Sequence, residues 1–146
     1  MTAEDIIARF RLRPHPEGGW YRETWRSPVA AGARPTGTAI LFLLKHGERS
    51  HWHRIDATEI WHFHAGAMLR LRISEDATGP AQTSLLGADF GAGQIPQALV
   101  PPGFWQSAET AGDWTLVSCT VSPGFQFEGF ELAAPGFDIV HSAGSE

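Results

Sequence analysis

The strongest constraint in this sequence is its punctuation. Short apolar or alternating stretches are cut off, one after another, by glycine and proline, of which the chain has 16 and 10. Stretches of that length between turn residues read as β-strands. TAILFLLK, Thr38 to Lys45, is apolar without a break and predicts a strand covered on both faces. In GWYRETWRS, Trp20, Arg22, Thr24 and Arg26 alternate with Tyr21, Glu23 and Trp25. Met68, Arg70 and Arg72 alternate with Leu69, Leu71 and Ile73. Further strands are expected at Gln82–Leu86, Gln97–Val100 and Trp114–Val121, with an alternating segment at Phe125–Leu132. Pro101, Pro102 and Gly103 stop one of them, and Phe104–Glu109 reads as a turn. One helix is expected, at Thr2–Arg11, with Thr2 as N-cap and Glu4 and Asp5 in its first turn. Many short strands after one short helix imply an all-β sandwich or barrel, best met by a jelly roll closing over a central cavity. A single domain spans 1–146, its core about 14–132, with the tail 133–146 expected to be loosely held.

Charge and composition exclude several classes of partner. The formal net charge is −5 and no basic cluster runs along the chain, which argues against nucleic acid or an anionic membrane. The N-terminal stretch is charged throughout and is not a signal peptide, and no apolar run reaches the ~20 residues of a membrane span. A cytoplasmic location is the simplest expectation. The lone cysteine, Cys119, sits in an apolar run and reads as a small buried hydrophobe.

GERSHWHRIDATEIWHFHAG, Gly47 to Gly66, carries the chemistry. In a regular strand, side chains two apart share a face, so His51 and His53 are expected to point together. Glu59 then enters from the next strand. Two imidazoles and a carboxylate suit a borderline divalent ion. If Glu59 points inward, Trp61 and Phe63 do too, and His62 and His64 point out. A different register would make His62 a general acid or base. Trp61, Phe63, Phe104 and Trp105 flank the proposed ligands and are candidates for a planar-ligand wall. Tyr21 and Glu23 share a face that reaches the cavity mouth. Gly18 and Gly19 in HPEGG allow a turn with positive φ, and Glu17 beside them is either a site residue or a turn carboxylate, the turn being the favoured reading.

Gly47, His51, His53, Glu59 and Gly66 resemble the first cupin motif. Pro101, Gly103 and Gln106, in LVPPGFWQSAE, resemble the second, with glutamine where the family has its last metal-binding histidine. The blocks PHPEGGWYRETW, TAILFLL, EIWHFHAG, VPPGFWQSA and LVSCTVSPGFQFEGFEL are similar to those of the DUF985, or cupin-5, family. That resemblance implies an RmlC-like, double-stranded β-helix jelly roll, a homodimer, and no established reaction. It also implies a site of His51, His53, Glu59 and Gln106. Gln106 either completes a site for one divalent ion (Zn, Ni, Mn or Fe) or hydrogen-bonds an organic ligand. The expected function is small-molecule binding, with an isomerase- or epimerase-like activity on a sugar- or carbonyl-type ligand through His53, Glu59 and, in the other register, His62. A metal would act as a Lewis acid, and without one a histidine–carboxylate pair would shuttle a proton. A non-catalytic sensing module and a vestigial structural cupin are the alternatives.

Overall fold

The computed structural model describes residues 1–142. Helix α1 (Ala3–Phe10) starts at Thr2, whose hydroxyl accepts the Asp5 N–H while the Asp5 carboxylate accepts the Thr2 N–H. This reciprocal box satisfies two donors that the first turn would leave open. Ala3 and Ile6 are buried against Leu43 and Leu116, so the helix lids the outside of a sheet.

Eleven strands follow among the described residues. They are β1 (Arg13–Pro14), β2 (Trp20–Arg26), β3 (Thr38–Lys45), β4 (Ser50–Ile55), β5 (Thr58–Gly66) and β6 (Leu69–Ser74). After these come β7 (Gln82–Leu86), β8 (Gln97–Val100), β9 (Trp105–Thr110), β10 (Trp114–Ser122) and β11 (Phe130–Leu132). One sheet has the order β1-β2-β3-β10-β5-β8 and the other β11-β4-β9-β6-β7. The two close face to face as a jelly roll. Alternation does the sorting: Phe42 and Leu44 of β3 meet Trp61, Leu69, Leu71 and Val117 between the sheets, while Leu43 turns out beneath α1.

Two expectations are corrected. Phe104–Glu109 is not a turn: most of it belongs to β9, an inner strand paired with both β4 and β6. Gln106, expected at the site, and Ser107 are both fully buried in it. Gln106 is met across the sheets by Glu59 and Trp61, and the Ser107 hydroxyl accepts from Arg49 Nε at 3.0 Å. The tail is also not loose over 133–142. Ile139 is 1% exposed, Asp138 accepts the Trp52 indole N–H at 2.7 Å, and His141 bridges Ala81. Residues 143–146, the remainder of the expected tail, lie outside the described residues.

Candidate functional site

The interior site begins in the turn between β1 and β2. The N–H groups of His15 and Gly18 donate to the carbonyls of Gly19 and His15, at 2.9 and 3.0 Å. Gly18 has φ +107°, and a Cβ there would lie 2.0 Å from the Arg49 carbonyl oxygen. Only glycine permits this approach. The turn therefore presses onto β4, the His51 N–H bonds the Glu17 carbonyl at 2.8 Å, and the Glu17 side chain is delivered inside the barrel.

Glu17 there meets β4 at a bulge. Ser50 pairs with Ala108 and His53 with Gln106, so three steps on β4 match two on β9. The extra residue reverses the alternation. Ser50 and His53 both turn inward, and the Ser50 hydroxyl donates to Glu17 Oε2. His53 Nδ1 lies 2.9 Å from Glu17 Oε2 and 2.8 Å from the His51 carbonyl oxygen. Both neighbours are acceptors, so Nδ1 carries a proton. His51 is turned away, its Nε2 lying 2.9 Å from the Ala134 carbonyl oxygen. The expected convergence of His51 and His53 does not occur, and the bulge is the reason.

Glu59 enters from β5. Its Oε1 accepts from Gln106 Nε2 at 2.8 Å, and Trp61 Nε1 donates to Gln106 Oε1 at 2.8 Å. An indole N–H can only donate, which fixes the amide with its oxygen toward Trp61 and its NH₂ toward Glu59. The Cys119 thiol also bonds Glu59. Burial raises the Glu59 carboxyl, Glu17 adds to that, and the opposing His53 charge and the Gln106 bond leave it at about 7. Burial disfavours charge on His53, but the Glu17 carboxylate and its hydrogen bond outweigh this and carry the imidazole up to about 9. Burial alone would raise Glu17; the His53 charge reverses that and holds it below the ordinary carboxyl value. His15 Nδ1 accepts the Glu17 N–H at 3.1 Å, and burial lowers the pKa of the ring against the raising effect of Glu17.

These groups line a cavity of about 220 Å³ that reaches the surface past Tyr21, Phe125, Phe127 and Phe130. The three Phe rings pack edge to face. Of the aromatic residues expected to wall the site, Tyr21 does so. Trp61 stands behind Gln106. Phe63 and Phe104 pack on the central core. Trp105 lies on the outer face of its sheet against Trp52 and Phe137. His62 and His64 point out, to Thr120 and Ser118, with Gln97 also on His62, so the cavity does not include His62.

The expected metal donors do not fit an ion. His51 faces Ala134 and Gln106 offers Glu59 an NH₂ rather than an oxygen to an ion, which leaves His53 and Glu59 of the expected four. Among the described residues no three His, Cys, Asp or Glu side chains gather as a metal-holding group. The sequence favoured a turn role for Glu17, which is instead a site residue, and did not reveal Ser50, His15 or the Phe wall. The one local signal was the pair of glycines after Glu17, which marks a close backbone approach as readily as an exposed turn.

Two antiparallel sheets closed over an interior site define a protein of the cupin type. Structures sharing only the fold include a variant of oxalate decarboxylase from Bacillus subtilis, at 15% identity and TM-score 0.63 over 82% of this chain and 29% of that one. The family description "Cupin superfamily (DUF985)" matches residues 4–133, and the chain belongs to that family. It is similar to a protein from Shewanella oneidensis, at 43% identity and TM-score 0.86, over 92% of this chain and 85% of that one. A hypothetical protein from Leishmania major is 35% identical with TM-score 0.83, over 94% and 90%. No curated protein matches the chain. No helix among the described residues is long and apolar enough to cross a membrane.

Proposed function

We propose that this cupin is a small-molecule enzyme that moves a proton beside a carbonyl group, as an isomerase or epimerase does. One observation carries the reading: Glu59, with a pKa of about 7, and His53, at about 9, line the same cavity. A base near neutrality and an acid above it are the pair that proton transfer requires. Glu59 takes the proton from the carbon next to the carbonyl. The His53 imidazolium stabilises the oxygen that gains negative charge. Glu17 keeps His53 charged and oriented, and Gln106, locked by Trp61, aims the Glu59 carboxyl. The cavity is below the roughly 300–1,000 Å³ common for drug-sized ligands, which supports a small metabolite.

The test is deuterium wash-in from heavy water, followed by proton NMR on a panel of small ketones, keto acids and aldose–ketose pairs. Wild-type protein exchanges the proton next to a carbonyl in at least one member, and Glu59→Gln lowers that rate by roughly 10²–10⁴-fold. A compound that binds the cavity without any exchange places the protein among non-catalytic binding modules instead. Two copies are proposed to pair in solution, as the family resemblance implies; light-scattering mass from micromolar to millimolar protein checks this.

A further inference from the structure

Each charged group inside or at the mouth of this cavity has a counter-charge or a hydrogen-bond partner, with one exception. His53 is paired with Glu17. Arg26 is held bidentately by Glu23, at 3.0 and 2.8 Å. Glu59 is bonded by the Gln106 amide and the Cys119 thiol. Arg13 lines the same cavity from β1 and has no carboxylate partner among the described residues. Its guanidinium lies over the Tyr21 ring, 5.6 Å from the centroid, and Tyr21 is packed edge-on against His15 at 4.5 Å. Stacking limits the places that this otherwise exposed guanidinium occupies. Glu59 lies deep, at 7% exposure, whereas Arg13 is exposed. The cavity is thus polarised along its depth, with a carboxyl at the floor and a cation at the entrance. The aromatic surface of Phe125, Phe127 and Phe130 also lines it, and Phe127 is 56% exposed.

The geometry points to a small monocarboxylate as the ligand class, its carboxylate held by Arg13, its short apolar body against the Phe wall, and its carbonyl or hydroxyl at Glu59. A guanidinium presents two parallel N–H donors that match a carboxylate, and neutral ligands leave that fork unused. The floor selects the orientation: the His53 charge there is already balanced by Glu17, and a carboxylate beside it would also face Glu59, whereas the Arg13 guanidinium has no carboxylate partner among the described residues. This inference rests on the proton-transfer reading of the same site, and it names the acid end of the substrate.

The experiment is titration calorimetry of wild-type, Arg13→Gln, Arg13→Lys and Glu59→Gln proteins with pyruvate, acetoacetate and phenylpyruvate, and with the primary amide of each. At least one acid binds wild-type protein, weakens roughly tenfold or more in Arg13→Gln, and recovers part of that loss in Arg13→Lys. Its amide binds wild-type and Arg13→Gln proteins alike. Equal affinity for acid and amide, an unchanged acid affinity in Arg13→Gln, or no binding of any acid at tens of millimolar overturns the inference. The two readings fail separately. Acid binding through Arg13 without deuterium exchange leaves the anion site standing and removes proton transfer. Exchange on neutral ketones with no acid binding does the reverse.

Discussion

Glu17 and Glu59 are buried almost equally, 8% and 7% exposed, in one cavity, yet their carboxyls are driven in opposite directions. Burial pushes both up. Glu17 has a cation in hydrogen-bond contact and a serine hydroxyl, and stays ionised. Glu59 has an amide NH₂ and a thiol and feels the second carboxylate, and settles near neutrality. Desolvation sets the scale of the perturbation, and the nearest partner decides its sign. One carboxyl serves as a fixed counter-ion while the other is left to titrate.

The comparison breaks most severely at His53. Changing His53→Ala strands Glu17 as an unpaired buried charge, and unfolding in urea is expected to show a loss of about 3–5 kcal/mol. Glu59→Gln removes no such pair and is expected to stay within about 1 kcal/mol of wild type in the same titration. A large loss in Glu59→Gln would show that both carboxyls are structural.

A smaller effect follows from freeing the amide. Trp61→Phe leaves Gln106 Oε1 without its donor, at a cost of about 1–3 kcal/mol by urea unfolding. The amide is then free to turn its oxygen to Glu59, and the Glu59 pKa rises further. Carboxyl chemical shifts from labelled glutamate, followed against pH, read that change directly.

The pH dependence sharpens the contrast. His53 and Glu59 both bind protons more tightly when folded, so each contributes stability that is lost as pH rises. For Glu59 the window is from its ordinary 4.5 to about 7, and for His53 from 6.5 to about 9. Glu17 is the opposite case: its contribution is present above 4.5 and is lost as pH falls through its lowered value. Melting temperature is expected to decline from about pH 5 to pH 9, and Glu59→Gln to flatten only the lower part of that decline. A wild-type melting temperature that rises between pH 6.5 and 9 would contradict the Glu17–His53 pair. The smallest effect is at His51, whose side chain bonds only the Ala134 carbonyl. His51→Ala is expected to change stability by about 1 kcal/mol or less and to leave deuterium exchange intact.

Much of this was legible in the residues. Uninterrupted TAILFLLK gave a doubly covered strand, and parity from Glu59 correctly sent Trp61 in and His62 and His64 out. Gln106 reached Glu59, as the motif spacing implied. What was hidden is either irregular or remote. One extra residue in β4 exchanges His51 for Ser50 at the interior, and alternation has no means of locating a bulge. Glu17 and Ser50 are 33 residues apart in the chain, so their contact follows from how the β1–β2 turn docks. Trp105 looked like a cavity wall because it adjoins Gln106, but adjacent strand residues face opposite ways.

The docked tail has a consequence for the order in which the chain can finish folding. Trp52 and Trp105, on the outer face of the second sheet, are covered by Phe137 and Ile139. A ribosome delivers β4 and β9 long before those covers. Until residues 137–139 have emerged, the sheet that carries His53 presents two indoles to water. The nascent barrel is therefore sticky on its back at the stage when the face that carries His53 is already encoded, and it stays so until the covering segment arrives.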